Sequence, residues 1–260
     1  MTDANAASFE AFLQGWMVRQ RGYLDELLSA QQHHQELQDD DMRQLINRVL
    51  CHYGEYYEEK SRVAHHNILL VFSPPWFSSL ERTFFWVGGF KPRMAFQVVN
   101  TALEDLSEEQ KEGLSQLSQE TKVKERALND DLAKLHESVA APPLVDLARS
   151  HGRECCSRSF MAEEGSVPST FKATLENLVA NADDLRTNTA LKIVQILRPA
   201  QIVTFLVAVA ELQTRIRSWG LDKDAQNGGQ GRLKACKTSD FPACNQGVDV
   251  IRAFEGVDRF

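Results

Sequence analysis

The sequence predicts an all-α chain, a multi-helix bundle of long amphipathic helices. Apolar residues recur at three- and four-residue intervals over long stretches, the period of an α-helix with one buried face. Turn formers are scarce: the 260 residues hold 8 Pro and 14 Gly, and many of the Gly lie in the last 50 residues. No stretch alternates apolar and polar residues as a half-buried strand does.

Each helix has its own signal. Phe9, Phe12, Leu13, Trp16, Tyr23, Leu24, Leu27 and Leu28 share the first face. A polar break at Gln31 to Asp41 precedes a second stripe of Met42, Leu45, Ile46, Val49, Leu50, Tyr53, Tyr56 and Tyr57, running to about Asn67. Asp39 to Asp41 favour its start, where negative charge meets the positive end of the helix dipole. Ser73-Pro74-Pro75-Trp76 then opens a short apolar helix, expected from Trp76 to Val87 and stopped by Gly88-Gly89. Pro92 opens the next, to about Leu106. Ser107 and Gln110 form a capping box, followed by a long helix to about Val139 with Leu114, Leu117, Leu128, Leu132 and Leu135 inward. It reads as a bundle helix, since no basic region precedes it and no heptad is sustained.

After Ala141-Pro142-Pro143, a helix is expected from Pro143 to about Ala162 and a loop at Gly165 to Pro168. Phe171, Leu175, Leu178, Val179 and Ala182 start another stripe, continued by Leu185, Leu191, Val194 and Leu197 after a break or cap at Thr187. Pro199 opens the last helix, expected to end near Trp219-Gly220 and, being apolar almost all round from Ile202 to Ala210, to lie centrally. The expected organisation is a flexible N-terminus over residues 1–7, a helical domain over 8–220 and a flexible tail over 221–260.

Charge and composition exclude several function classes. A net charge of −7, with no run of five basic residues, argues against nucleic-acid binding by the whole surface. Five cysteines, an odd number with Cys155 and Cys156 adjacent, do not form a disulfide framework and suit a reducing compartment. Met1 to Ser8 lacks the apolar core of a signal peptide. The most apolar stretch, Ile202 to Ala210, is far short of the roughly 20 residues that cross a bilayer. No transmembrane segment is expected.

Reactive constellations are also missing. His33-His34, His52 and His65-His66 lack the His-Glu-x-x-His zinc spacing and read as solvated, although His52 can face Glu55 or Glu59. The cysteines read as buried or inert thiols. Asp39-Asp40-Asp41, Glu58-Glu59 and Asp183-Asp184 do not follow a calcium-loop spacing and read as solvated helix ends. Neither a phosphate-cradling Gly-rich loop nor a Gly-x-Ser-x-Gly elbow is present. The expectation is a protein that is not an enzyme, with no catalytic or metal-binding residues.

One segment is distinctive: Ser73-Pro-Pro-Trp76, then Leu80-Glu-Arg-Thr-Phe-Phe-Trp-Val-Gly-Gly-Phe-Lys-Pro-Arg93. It resembles the central signature of the plant Delay-of-Germination-like family, whose domain also forms the C-terminal half of TGA-type bZIP transcription factors. Phe12 to Leu28 resembles the family's opening Phe-x-x-x-Trp helix, and His52-Tyr53 to Lys60 its His-Tyr…Lys segment. Asp184-Leu-Arg-Thr-Asn-Thr-Ala-Leu191 and Ile196-Leu-Arg-Pro-Ala-Gln201 resemble its late helices. The likeness spans about residues 8 to 220, without the bZIP region. Trp16, Trp76, Glu81, Trp86, Gly88, Gly89, Pro92 and Arg186 carry the signature, and structure is the expected role of each. Trp76, Phe84, Phe85 and Trp86 are expected in the core. Glu81 is expected to pair with Arg93 or cap a helix end.

The resemblance implies an all-α, non-catalytic regulatory protein of nucleus or cytoplasm. It implies roles in seed dormancy, abscisic-acid signalling or other developmental and transcriptional control. Implied partners are clade A type-2C protein phosphatases or bZIP transcription factors, and a homodimer is allowed. Sequence-specific DNA binding does not transfer, because the basic zipper is absent. A haem or lipid sensor on the same bundle is the alternative: the dormancy protein binds haem through late histidines, and TGA domains hold a fatty acid between helices. The last histidine here is His151, so that haem ligand set has no counterpart. A further branch of the family marks pollen apertures.

Overall fold

The computed structural model describes residues 4–33, 38–139 and 169–231. The helix expected from Pro143, the loop at Gly165 to Pro168, four of the five cysteines and everything past Gly231 lie outside the described residues. Two compact units divide the chain, Met1–Leu221 and Asp222–Phe260. Of the second, only the close of the last helix is described.

Eight helices are seen among the described residues: α1 (Ala4–Gln32), α2 (Asp39–His66), α3 (Ile68–Phe72), α4 (Ser79–Thr83), α5 (Met94–Ala102), α6 (Glu108–Val139), α7 (Ser169–Ile196) and α8 (Pro199–Gly231). The fold is an all-α bundle. Among the described residues one hairpin interrupts it, β1 (Phe85–Trp86) pairing antiparallel with β2 (Gly89–Phe90).

Two antiparallel helix pairs form the frame. In the first, the Trp16 indole N–H of α1 donates to the His52 carbonyl of α2 at 2.8 Å, and Gln20 donates to the Tyr53 hydroxyl at 2.6 Å. Arg19–Glu55 and Arg48–Glu26 ion pairs flank this seam, exposed and therefore of little energetic weight. In the second, α6 runs against α7, with the buried Thr121 and Thr189 hydroxyls 3.4 Å apart and Glu120 beside Lys192. Two apolar cores result. One gathers Leu27, Ile46, Val49, Val99, Ile193, Val203 and Leu206, the other Phe9, Leu13, Trp16, Val71, Trp76, Leu178 and Ala182.

The helix ends show how the pieces lock. The Ser107–Gln110 capping box forms as its spacing predicts. Gln110 then spends its amide on two more acceptors, the Ile196 carbonyl at the end of α7 (2.9 Å) and Gln201 Oε1 at the start of α8 (2.8 Å). Gln201 Oε1 also accepts from the Arg198 N–H, and its amide donates to the Asp105 carbonyl. A buried, almost fully satisfied amide pair thus fixes where three helices meet.

Four expectations need correction. The helix expected from Trp76 to Val87 is a single short one at Ser79–Thr83. Its N-cap is Ser78, not Ser73, with Glu81 completing the capping box. The helix ends at Thr83 with Phe84 as its C-cap, and after Phe85–Trp86 the chain turns back at Val87 (φ 45°) and Gly88 (φ 71°), the left-handed two-residue turn of a tight hairpin. Thr187 does not break α7; its hydroxyl donates back to the Asp183 carbonyl at 3.0 Å and the helix continues. Nor does Gly220 end α8, which runs to Gly231. Gly220 serves close approach instead: a Cβ there would lie 2.0 Å from Ser78 Oγ. Leu191, finally, is about half exposed rather than inward.

Candidate functional site: a charged clasp beside an apolar cavity

Arg186 on α7 is 7% exposed, so its guanidinium must find acceptors inside the protein. It finds them on the hairpin. Nε donates to the Phe90 carbonyl at 2.7 Å, and Nη2 donates to the carbonyls of Trp86 and of Val87, the latter at 2.9 Å. Nη1 donates to Asp183 Oδ1 one helical turn earlier, and the guanidinium carbon lies 5.4 Å from the Trp86 ring centre. The two glycines of the signature follow from this arrangement. Gly88 permits the positive φ of the turn. Gly89 leaves room for the cation, since a Cβ would lie 2.8 Å from Arg186 Cζ. Val87, a β-branched residue in left-handed backbone, is a strained conformer of order 1–3 kcal/mol. Its buried side chain and the Arg186 bond to its carbonyl hold it there.

Asp183 serves a second cation. Lys60 on α2, 3% exposed, donates to the same Oδ1 at 2.7 Å. One carboxylate therefore faces two buried cations. Burial pushes the Lys60 ammonium down to about 8, and nearby Arg186 adds to that against the opposing pull of Asp183. Asp183 is thus no solvated helix end.

The remaining signature residues support the hairpin. The Trp86 indole N–H donates to Asn129 Oδ1 on α6 at 2.7 Å. Trp76 is buried, with its ring centre 4.5 Å from that of Phe9, whereas Phe84, Phe85 and Trp86 are half-buried. Glu81 does not pair with Arg93. It accepts from the Ser78 N–H and hydroxyl and from Arg217 on α8 at 3.2 Å. The Arg93 N–H donates instead to buried Glu125 at 2.8 Å, whose carboxyl is raised by burial against the lowering effect of that bond. Pro92 is buried just ahead of α5.

Beside the clasp lies a cavity of about 370 Å³ between α2, α5, α7, α8 and the hairpin. Its wall is mostly apolar and aromatic, with Tyr53, Tyr56, Phe85, Val98, Phe205 and Val209 among its residues, and it includes Lys60, Arg186 and Arg217. Burial pushes the Tyr57 phenol, also in the wall, up to about 12. The partly covered Val209 and Leu212 of α8 and Leu50 of α2 also belong to its wall. No histidine lines it among the described residues.

His52 corrects the solvated reading. It is 2% exposed, stacked on Trp16 at 4.4 Å between ring centres and 9° between planes, and neither ring nitrogen has a hydrogen-bond partner. Burial, with the Arg19 charge second, lowers it to about 4. Exposed Cys51 corrects the buried-thiol reading for that cysteine. Among the described residues no group of three His, Cys, Asp or Glu can hold a metal ion, and no helix is long and apolar enough to cross a membrane.

The sequence reading missed Lys60 and Asp183 as a pair, Arg217, and Glu125. Lys60 closes the His52-Tyr53 to Lys60 segment that resembles the family's, but no local spacing joins it to residue 183.

The family model described as Seed dormancy control (DOG1) matches residues 23–101, which include α2 and the hairpin. Protein RESPONSE TO ABA AND SALT 1 of Arabidopsis thaliana is 32% identical over 219 residues, 82% of this chain and 95% of that protein. Protein ZW2 of the same plant is 33% identical over 84% of this chain and 98% of its own length. The chain belongs to the DOG1-like family. The rice transcription factor TGA2.3 is 28% identical over 84% of this chain and 65% of its own length. Membership places the chain among plant regulatory proteins.

Two outcomes follow from the site. Gly89→Ala displaces the Arg186 guanidinium from its carbonyls, and urea unfolding should register a loss on the order of 3 kcal/mol, the scale of a broken buried charge pair; an unchanged midpoint would refute the clasp. For His52, the folded value of about 4 lies below the ordinary 6.5. Its neutral form therefore supports the fold above about pH 6.5, and that support is lost as pH falls towards and through 4. His52→Phe should flatten this part of the stability–pH curve, measured by thermal melts from pH 7 to 4.

Proposed function

We propose that this chain is a non-catalytic regulatory module of nucleus or cytoplasm, acting in seed dormancy, abscisic-acid signalling or developmental and transcriptional control by binding protein partners. The observation that carries the proposal is near-full-length likeness to a protein named for its response to ABA and salt, together with likeness to TGA transcription factors. The buried charges support it. Lys60, Asp183, Arg186, Glu81 and Arg217 are engaged with one another or with backbone carbonyls, an arrangement that holds the shape of the bundle.

Partners of the expected kind are clade A type-2C protein phosphatases or bZIP factors. Exposed apolar side chains such as Val18 and Val123 on the long helices are available for helix-face contacts. The net charge of −7 disfavours DNA as the direct partner. Affinity purification of the full chain from plant tissue, read by mass spectrometry, should recover a phosphatase or a bZIP protein. Recovery of neither would overturn the partner assignment.

A second reading rests on the cavity. Its volume and apolar wall suit a small lipid-like molecule, and its cations suit a carboxylate at one end. Native mass spectrometry of the purified chain should then show a co-purified fatty acid, released on denaturation; a ligand-free spectrum before and after adding palmitate would exclude it.

A further inference from the structure

Lys60 sits in an unusual place for an amine. It is buried, it belongs to the wall of an apolar cavity of about 370 Å³, and among the described residues its hydrogen-bond acceptor is Asp183 Oδ1 at 2.7 Å. That oxygen also receives Arg186. The groups facing it are Tyr57 on its own helix, 5.8 Å from ring centre to Nζ, and Asp183 and Arg186 on α7.

An amine in such a place has two features that reaction with a carbonyl compound requires. The first is a mostly apolar cavity that gathers an apolar electrophile beside the nitrogen. The second is a carboxylate within hydrogen-bond reach of the nitrogen, able to take and return a proton. We propose that Lys60 is a covalent attachment site for an apolar aldehyde of medium chain length, held as a protonated imine against Asp183.

The step balances. Asp183 takes a proton from the Lys60 ammonium, and the freed amine adds through its lone pair to the carbonyl carbon. Asp183 passes that proton to the alkoxide oxygen, then takes a second proton from the nitrogen and delivers it to the hydroxyl, which leaves as water while the nitrogen lone pair forms the C=N bond. Overall, R–CHO and Lys60–NH3+ give Lys60–NH+=CHR and water. No electron changes hands, and the positive charge on nitrogen is preserved. Asp183 therefore keeps its counter-ion and Arg186 its partner, so the clasp survives the modification. A thioester or other acyl donor would neutralise the nitrogen and leave Arg186 as the only counter-ion of Asp183. Charge conservation thus selects an aldehyde over an acylating agent.

Lys60, held at about 8, carries far more neutral amine at neutral pH than an exposed lysine near 10.5. The proposal does not rest on the partner-binding role or on the fatty-acid reading, and its test reads a different signal from either.

The experiment treats the folded full chain with nonanal and cyanoborohydride at pH 7.5 and maps the reduced adducts by peptide mass spectrometry. Lys60 should be modified on the order of tenfold faster than exposed Lys111, Lys134 or Lys192, because the cavity holds the aldehyde beside its nitrogen. Denaturing the chain before treatment should abolish the preference. Lys60→Arg, which keeps the charge and the Asp183 contact, should remove the fast adduct and leave the slow ones. Labelling spread over the exposed lysines with Lys60 unmodified in the folded wild-type chain would overturn the proposal, whether or not the variant folds.

Discussion

A guanidinium taken out of water keeps its charge and must be met by acceptors wherever it lies. At Arg186 that requirement organises the middle of the molecule. The hairpin offers three carbonyls to one planar cation, and the fork of Arg donors matches them as a lysine could not. The turn that aims these carbonyls needs positive φ at two successive residues, and the cation's approach forbids a side chain at a third. The Trp-Val-Gly-Gly-Phe run is thus the imprint of one buried side chain almost a hundred residues away.

The same constraint propagates outward. Arg186 requires Asp183 one turn before it, and Asp183 draws in Lys60 from α2, so that α7, the hairpin and α2 are held by one charge cluster. Glu81 repeats the device on a smaller scale, closing the α4 capping box and engaging Arg217 from the last helix. Buried ion pairs of this kind do not by themselves make a protein more stable than apolar packing would. They fix which helix faces which. With the polar clasp at one end and incompletely filled apolar packing beside it, a cavity remains where α8 crosses.

Membership in the DOG1-like family and the shape of this centre fit together. A regulatory module needs a rigid frame with surfaces left over for partners. Here the aromatic seam of α1 and α2, the α6–α7 pair and the Gln110–Gln201 junction supply the frame.

The long helices were legible in the sequence because an apolar stripe at helical spacing has only one way to be hidden, and because Ser107–Gln110 and Pro199 mark their ends by local chemistry. Local rules failed where a distant partner decided. Val87 belongs in a helix or strand by its own preference and lies in a left-handed turn because Arg186 holds its carbonyl. Asp183 looks like an acidic surface residue until Lys60 arrives from α2. His52 looks solvated until Trp16 stacks on it. Gly220 looks like a terminator until Ser78 is found packed against the helix. Periodicity and capping act within a few residues, so sequence alone determines them; charge satisfaction, close approach and the space left between helices depend on which faces meet, and only the tertiary structure decides that.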